Sequence, residues 1–214
     1  MKKGLIAVLC MLLAGLCACG QVESSEETTT ETPTTTVAPI SVEIKPSEIA
    51  AYSEVVKAIK EEFENAPDQL NHLYYAFYDI DGNGTKELLL GVEWGGHIFL
   101  DAVYTIQNGV AVQQEAYFMD PTIGPPPLLY KNGTIRVNRV DDTIIFYYYY
   151  FRFENGELKL QIMLIDDMGR YFSNIDPMKR TPITKEEFDR VQREMEGDGQ
   201  TVALDWKPLE EYGQ

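Results

Sequence analysis

Three Asn-Gly pairs, Asn108-Gly109, Asn132-Gly133 and Asn155-Gly156, each stand between two apolar or aromatic runs, and this spacing limits the fold more than any other feature of the chain. Both central positions of a type I′ turn need positive φ, which Asn and Gly tolerate best, so each pair predicts a tight β-hairpin. Hairpins following one another with no helical pattern between them imply an antiparallel meander and disfavour a parallel α/β fold. The strands expected around the pairs cover residues 99–107, 110–118, 128–131, 134–139, 143–153 and 158–165. Pro125-Pro126-Pro127 breaks the chain between two of the hairpins. Two further β-rich runs, 73–78 and 87–94, flank a polar loop upstream.

Helical periodicity occurs at the two ends of this β region. Ile49, Tyr52, Val56, Ile59 and Phe63 step by three or four and predict a helix over 47–64, which Asn65-Ala66-Pro67 stops. A second helix is expected from Thr184, where Thr184-Lys185-Glu186-Glu187 fits a capping box and Phe188, Val191 and Met195 form the apolar stripe. Gly197 ends it, and a last strand is expected over 201–206. The fold class that follows is α+β: one mainly antiparallel, curved β-meander sheet with an N-terminal and a C-terminal helix.

The first residues have a different purpose. Lys2 and Lys3 precede an apolar run from Leu5 to Leu16, followed by Leu16-Cys17-Ala18-Cys19-Gly20. This is the layout of a cleavable signal, with an apolar run too short for a membrane-spanning helix, which needs about 20 residues. The tetrad ending at Cys19 resembles the bacterial lipobox. The resemblance implies a signal peptide at 1–18, a diacylglycerol on Cys19, and a mature protein lipid-anchored to the cell membrane and facing out of the cytoplasm. All three cysteines lie in or at this segment, so no disulfide, zinc cluster or thiol nucleophile is left for the domain. Residues 19–45, rich in Thr, Ser, Glu and Pro, carry too little apolar surface to offset the entropy of ordering them and are expected to form a disordered tether. Residues 46–214 are then a single globular domain. The chain has formal charge −16, and loss of Lys2 and Lys3 with the signal takes it to −18, which disfavours nucleic acid and anionic membrane as partners.

One motif carries chemistry. Asp79-Ile80-Asp81-Gly82-Asn83-Gly84-Thr85-Lys86-Glu87 places side-chain oxygens at relative positions 1, 3, 5 and 9 with glycine at 6. Calcium takes six to eight oxygen ligands, and a tight loop can converge alternate side chains on one point, with the Thr85 carbonyl at position 7. An EF-hand would supply a bidentate Glu at position 12, and here that position is Leu90. Asp79, Asp81, Asn83, Thr85 and Glu87 are the candidate Ca2+ ligands. The competing reading is a hairpin turn whose acids are simply solvated. The loop is similar to those between the strands of FG-GAP and related calcium-binding extracellular repeats, although a single copy argues against a propeller. Residues 75–91, together with the lipobox, the tether and Leu204-Asp205-Trp206-Lys207-Pro208-Leu209, also resemble a large set of uncharacterised Gram-positive lipoproteins. This resemblance implies the same address and gives no activity.

No Gly-x-Ser-x-Gly elbow, His-Glu-x-x-His or phosphate-binding glycine loop occurs. The run Phe146-Tyr147-Tyr148-Tyr149-Tyr150-Phe151 reads either as a central strand covered on both faces or as one with an exposed aromatic platform. Tyr147 and Tyr149, with Trp94 and His97 from the Trp94-Gly95-Gly96-His97 turn, are the candidate platform residues. The expected function is a non-enzymatic binding or envelope-interaction module meeting a cell-envelope glycan or protein. The alternatives are a glycan hydrolase with scattered carboxylates and a solute-binding lipoprotein, the latter opposed by a domain of only about 168 residues.

Overall fold

The computed structural model describes residues 44–114, 124–141, 144–176 and 179–213, all within the unit Pro39–Gln214. The signal, Cys19, nearly all of the tether and the end of the strand expected over 110–118 lie outside them. Among the described residues no helix is long and apolar enough to cross a membrane.

The helices form where the periodicity places them. Helix α1 (Pro46–Glu62) opens on a proline at its first position, where the missing N–H costs nothing, and buries Tyr52, Val56 and Ile59 along one stripe. A single short turn, α2 (Pro67–Leu70), follows. Helix α3 (Lys185–Glu196) is capped by Thr184, whose hydroxyl accepts the Glu187 N–H at 3.2 Å, and it buries Phe188 and Met195.

The strands run β1 (Leu73–Tyr78), β2 (Glu87–Trp94), β3 (His97–Gln107), β4 (Val110–Gln113), β5 (Leu128–Leu129), β6 (Ile135–Asp141), β7 (Ile145–Glu154), β8 (Glu157–Asp167), β9 (Arg170–Asn174), β10 (Thr181–Ile183) and β11 (Lys207–Pro208). All pairings are antiparallel, and the class is α+β as expected, but the strands divide between two sheets. Sheet A has the order β11-β1-β2-β3-β4 and sheet B the order β10-β9-β8-β7-β6-β5. Their inner faces share one core, in which Leu89, Leu100 and Val103 of sheet A meet Ile135, Val137, Phe151 and Leu158 of sheet B. Helix α1 lies on the outer face of sheet A: the Tyr52 ring packs on Phe77, and its hydroxyl lies 2.8 and 3.2 Å from the Lys86 and Tyr104 carbonyl oxygens. Helix α3 covers the outer face of sheet B, setting Phe188 and Met195 against Tyr150 and Leu164. The layers therefore read helix, sheet, sheet, helix.

Two bulges make this layering work. Side chains of a strand alternate faces, so Leu100 and Val103, three apart, ought to point oppositely. The register slips between Leu90 and Gly91, so that Gly91 meets Leu100 and Asp101 is left over, and both residues reach the inner core. In β8 a second slip, opposite Tyr150 and Phe151, sends Leu158 and Leu160 inward but Ile162 and Leu164 outward to α3. Gly91 is required where it stands, because a Cβ there would lie 2.5 Å from Ile98 and 3.0 Å from the Trp206 ring.

Besides the division of the one expected sheet into two, the expected last strand changes. The strand expected over 201–206 does not form a ladder. The segment is extended and alternates inward, with Val202, Leu204 and Trp206 against the inner core, but its hydrogen bonds go to the edge of sheet B at one end, through Val202 N to Leu129 O (2.8 Å). At the other end it joins sheet A as β11. It is a strap across both sheets. The β8–β9 hairpin also has no Asn-Gly pair: Met168 (φ 50°) and Gly169 (φ 81°) make the turn.

Met168 is 67% exposed, so its side chain packs on little while its backbone occupies a conformation that disfavours it. Met168→Asn is expected to stabilise the fold by roughly 1 kcal/mol. Thermal melting should show a rise of about 2 to 4 °C, as that energy gives in a domain of this size.

Candidate metal centre

The last rung between β1 and β2 pairs Tyr78 with Glu87, and the eight residues between them must return the chain. Ile80, 4% exposed, turns into the inner core and nails the loop down from below. Above it, the polar side chains fold the backbone. Asp79 Oδ2 accepts the Gly84 N–H at 2.9 Å, Asp81 Oδ1 the Asn83 N–H at 3.1 Å, and Asn83 Oδ1 the Thr85 N–H at 2.7 Å. Gly82 (φ 72°) and Gly84 (φ 83°) supply the left-handed backbone these bonds demand.

The result gathers three carboxylates. One oxygen from each of Asp79, Asp81 and Glu87 lies within 4.8 Å of the others, and this group could hold a metal ion. Oxygens around a cation bound at 2.3–2.6 Å stand no more than about 5 Å apart, so the set is within coordinating range. Asp79 is half-buried, Asp81 exposed and Glu87 fully buried, which leaves the Asp81 side open to solvent. Asp79 Oδ1 is buried with no hydrogen-bond partner. A buried carboxylate oxygen without a donor is costly, and a hard cation is the partner such an oxygen suits. Asn83 and Thr85 share the loop, but the Asn83 side chain is engaged there, its Nδ2 donating to Asp81 Oδ2 at 2.9 Å.

Glu87 is held by groups that the loop motif does not announce. Its Oε2 accepts the Ile80 N–H at 2.8 Å, and its Oε1 lies 3.3 Å from the Thr105 hydroxyl, which donates from β3. Thr105 is 18 residues away and is brought in by the β2–β3 register, which no local pattern reveals. Burial pushes the Glu87 carboxyl up to about 7; the Ile80 N–H opposes this, and Asp81 and Asp79 add to it. Lys86, next to it and 7% exposed, is lowered by desolvation while Glu48 and Asp79 resist the shift.

The candidate platform residues lie in different sheets. Trp94 and His97, both exposed, pair across the tip of the β2–β3 hairpin. Tyr147 and Tyr149 are stacked on one face of β7 at 6.3 Å and 14°, with the Arg180 guanidinium 5.9 Å over Tyr147 and donating to its hydroxyl at 2.8 Å. Strand β7 itself is packed on both faces between β6 and β8, with Phe151 in the inner core and Tyr150 against α3.

The raised Glu87 carboxyl has a defined sign. Its folded pKa exceeds the ordinary 4.5, so its contribution to stability is intact below about pH 4.5 and is lost as pH rises through about 7, by about 3 kcal/mol in total. In chelator, melting temperature should therefore fall from about pH 5 to pH 8 more steeply in the native chain than in Glu87→Gln. Parallel curves for the two proteins would show that Glu87 is ionised without penalty.

No protein-family model matches this chain, and no curated protein or solved structure matches it either.

Proposed function

We propose that this chain is a lipid-anchored protein of the outer face of the cell membrane whose domain is stabilised by calcium at the Asp79–Glu87 loop and serves as a non-enzymatic binding or envelope-interaction module. The observation that supports the ion most directly is the unpartnered, buried Asp79 Oδ1 beside Asp81 and Glu87. Glycine-bent loops of hard oxygen donors suit calcium better than transition metals, which prefer imidazole or thiolate. Asp79, Asp81 and Glu87 supply carboxylate oxygens, and the Thr85 carbonyl and Asn83 are the remaining loop donors. The address rests on the sequence alone, through the Lys2-Lys3 start, the apolar run and Cys19.

The ion and the buried Glu87 act on each other. A divalent cation offsets the repulsion among three carboxylates and favours the ionised Glu87, so affinity should grow over the same pH range in which the calcium-free fold weakens. Sites of this kind outside the cell bind at about 10⁻⁴ to 10⁻³ M, which suits a space where calcium is plentiful.

Calcium at ten times its dissociation constant should stabilise the native chain by about 1.4 kcal/mol near neutral pH. The same addition should do nothing for Asp79→Ala/Asp81→Ala. Melting in calcium, magnesium and chelator reads this directly, and an equal calcium response in the double variant would sink the proposal. The anchor has its own test: Cys19→Ser should move the protein from the membrane fraction to the soluble one, and labelled fatty acid should be incorporated only into the native chain.

A further inference from the structure

Lys45, Glu48 and Tyr52, at spacings of three and seven from the residue that caps α1, share one face, and Lys45 and Tyr52 bond to the metal loop. Lys45 Nζ donates to the Gly84 carbonyl at 2.7 Å. Tyr52, with no exposed surface, holds its hydroxyl 2.8 Å from the Lys86 carbonyl. Glu48, 4% exposed, accepts the Lys45 N–H at 3.2 Å and lies 3.5 Å from Lys45 Nζ, and its charge favours the protonated form of Lys86. The helix is thus hung on carbonyls at the far end of the loop, while Asp79 Oδ2 fixes the Gly84 N–H from the near end. Gly84 is therefore bonded on both sides, through its N–H to Asp79 of the carboxylate cluster and through its carbonyl to Lys45 at the entrance of α1.

We infer that occupancy of the metal centre is transmitted to α1, so that the bound cation tightens the first two turns of the helix by which the chain enters the domain. This rests on the calcium reading above and adds a consequence to it. A cation that fixes Asp79, Asp81 and the loop backbone also fixes the Gly84 and Lys86 carbonyls on which Lys45 and Tyr52 bond. Linkage is reciprocal: whatever factor the ion adds to the docking of α1, the docked α1 adds to the affinity for the ion. Because α1 begins where residues 19–45 end, cation level would be reported at the point from which the domain hangs.

The other contact of the loop is of a different kind. Gly133, in the β5–β6 turn, packs so closely on the Ile80 carbonyl that a Cβ there would lie 2.5 Å from it, and the Asn132 side chain donates to Met195 O at the end of α3. This contact leads to the core-anchored base of the loop, away from the oxygens that would hold the ion. Helix α3 is therefore the internal reference for any general stabilisation.

The test is amide hydrogen exchange on the full chain in detergent, in calcium chloride and in chelator, with calcium binding measured by calorimetry on the same preparation. Amides of residues 49–56 should exchange about ten-fold more slowly with calcium, and those of 188–195 should change much less. Lys45→Met and Tyr52→Phe should weaken calcium binding several-fold. Both keep the fold measurable, since the Lys45 side chain is 63% exposed and Phe retains the ring of Tyr52. Saturable calcium binding with equal slowing of α1 and α3, or with native affinity in both variants, overturns the inference and leaves the calcium reading standing. Absence of saturable binding in the native chain removes the calcium reading and the inference together.

Discussion

A carboxylate with no contact with water sits at the last rung of the β1–β2 ladder, and the arrangement around Glu87 follows from that burial. An ionised carboxyl in such a place needs donors or a cation. Ile80 N–H and the Thr105 hydroxyl meet its two oxygens, which requires Ile80 to be turned inward and β3 to lie in one particular register beside β2. Inward Ile80 fixes the loop on the inter-sheet core, and the register with its bulge at Asp101 puts Leu100 and Val103 into that same core. The polar site and the apolar packing therefore specify each other. Burial and two neighbouring acids outweigh these donors, so Glu87 is pushed up to about 7, where a cation has most to contribute.

Local patterns announced most of the elements because they act locally. The stripe Tyr52, Val56, Ile59 and the Thr184 cap report helices through contacts within a few residues, and Asn108-Gly109 and Asn155-Gly156 report turns through the backbone freedom of two residues. Asn132-Gly133 is instructive. Only its Gly has positive φ, with Gly133 N bonded to Tyr130 O and Tyr130 N to Thr134 O, so the turn is a longer one, and Asn132 spends its side chain on the end of α3. The β8–β9 hairpin carries no such mark, because Met168 adopts the left-handed conformation under the pull of its strands. The division into two sheets is also silent in the sequence. It depends on which strand edges are left unpaired and on bulges that reverse the parity of β3 and β8, and parity is a long-range property.

The site was legible to a similar depth. Alternating oxygens at Asp79, Asp81 and Asn83 with glycine at 84 foretold a folded loop, and the structure brings Asp79, Asp81 and Glu87 together. Asn83 is drawn instead into bonds with Thr85 N and Asp81. Thr105, Lys45 and Tyr52 could not be found from the motif, since they arrive from β3 and α1 through tertiary packing. The aromatic run divides as strand alternation requires, Phe151 to the inner core and Tyr150 to α3; Tyr147 and Tyr149 stack half-buried, with Tyr149 against the inner core, and Phe146 is the exposed ring of the run.

The position of the loop, more than its ligand count, sets what a weak ion can do there. Under the proposed calcium reading, a site of millimolar affinity would contribute only about 1 to 3 kcal/mol at attainable calcium, small beside the whole core. Spread over the domain, that energy would alter little. The loop, however, bonds to α1 through Lys45 and Tyr52 and touches the turn that carries Asn132 and the end of α3. The contact toward α3 runs through Ile80, which is buried in the inter-sheet core. The contact toward α1 runs through the solvent-facing Gly84 carbonyl and the first turn of a helix, where fraying costs little. A modest binding energy concentrated on that weaker contact can shift a local equilibrium that it could never shift globally. The entry helix is therefore where an ion bound at the loop, as proposed, would act.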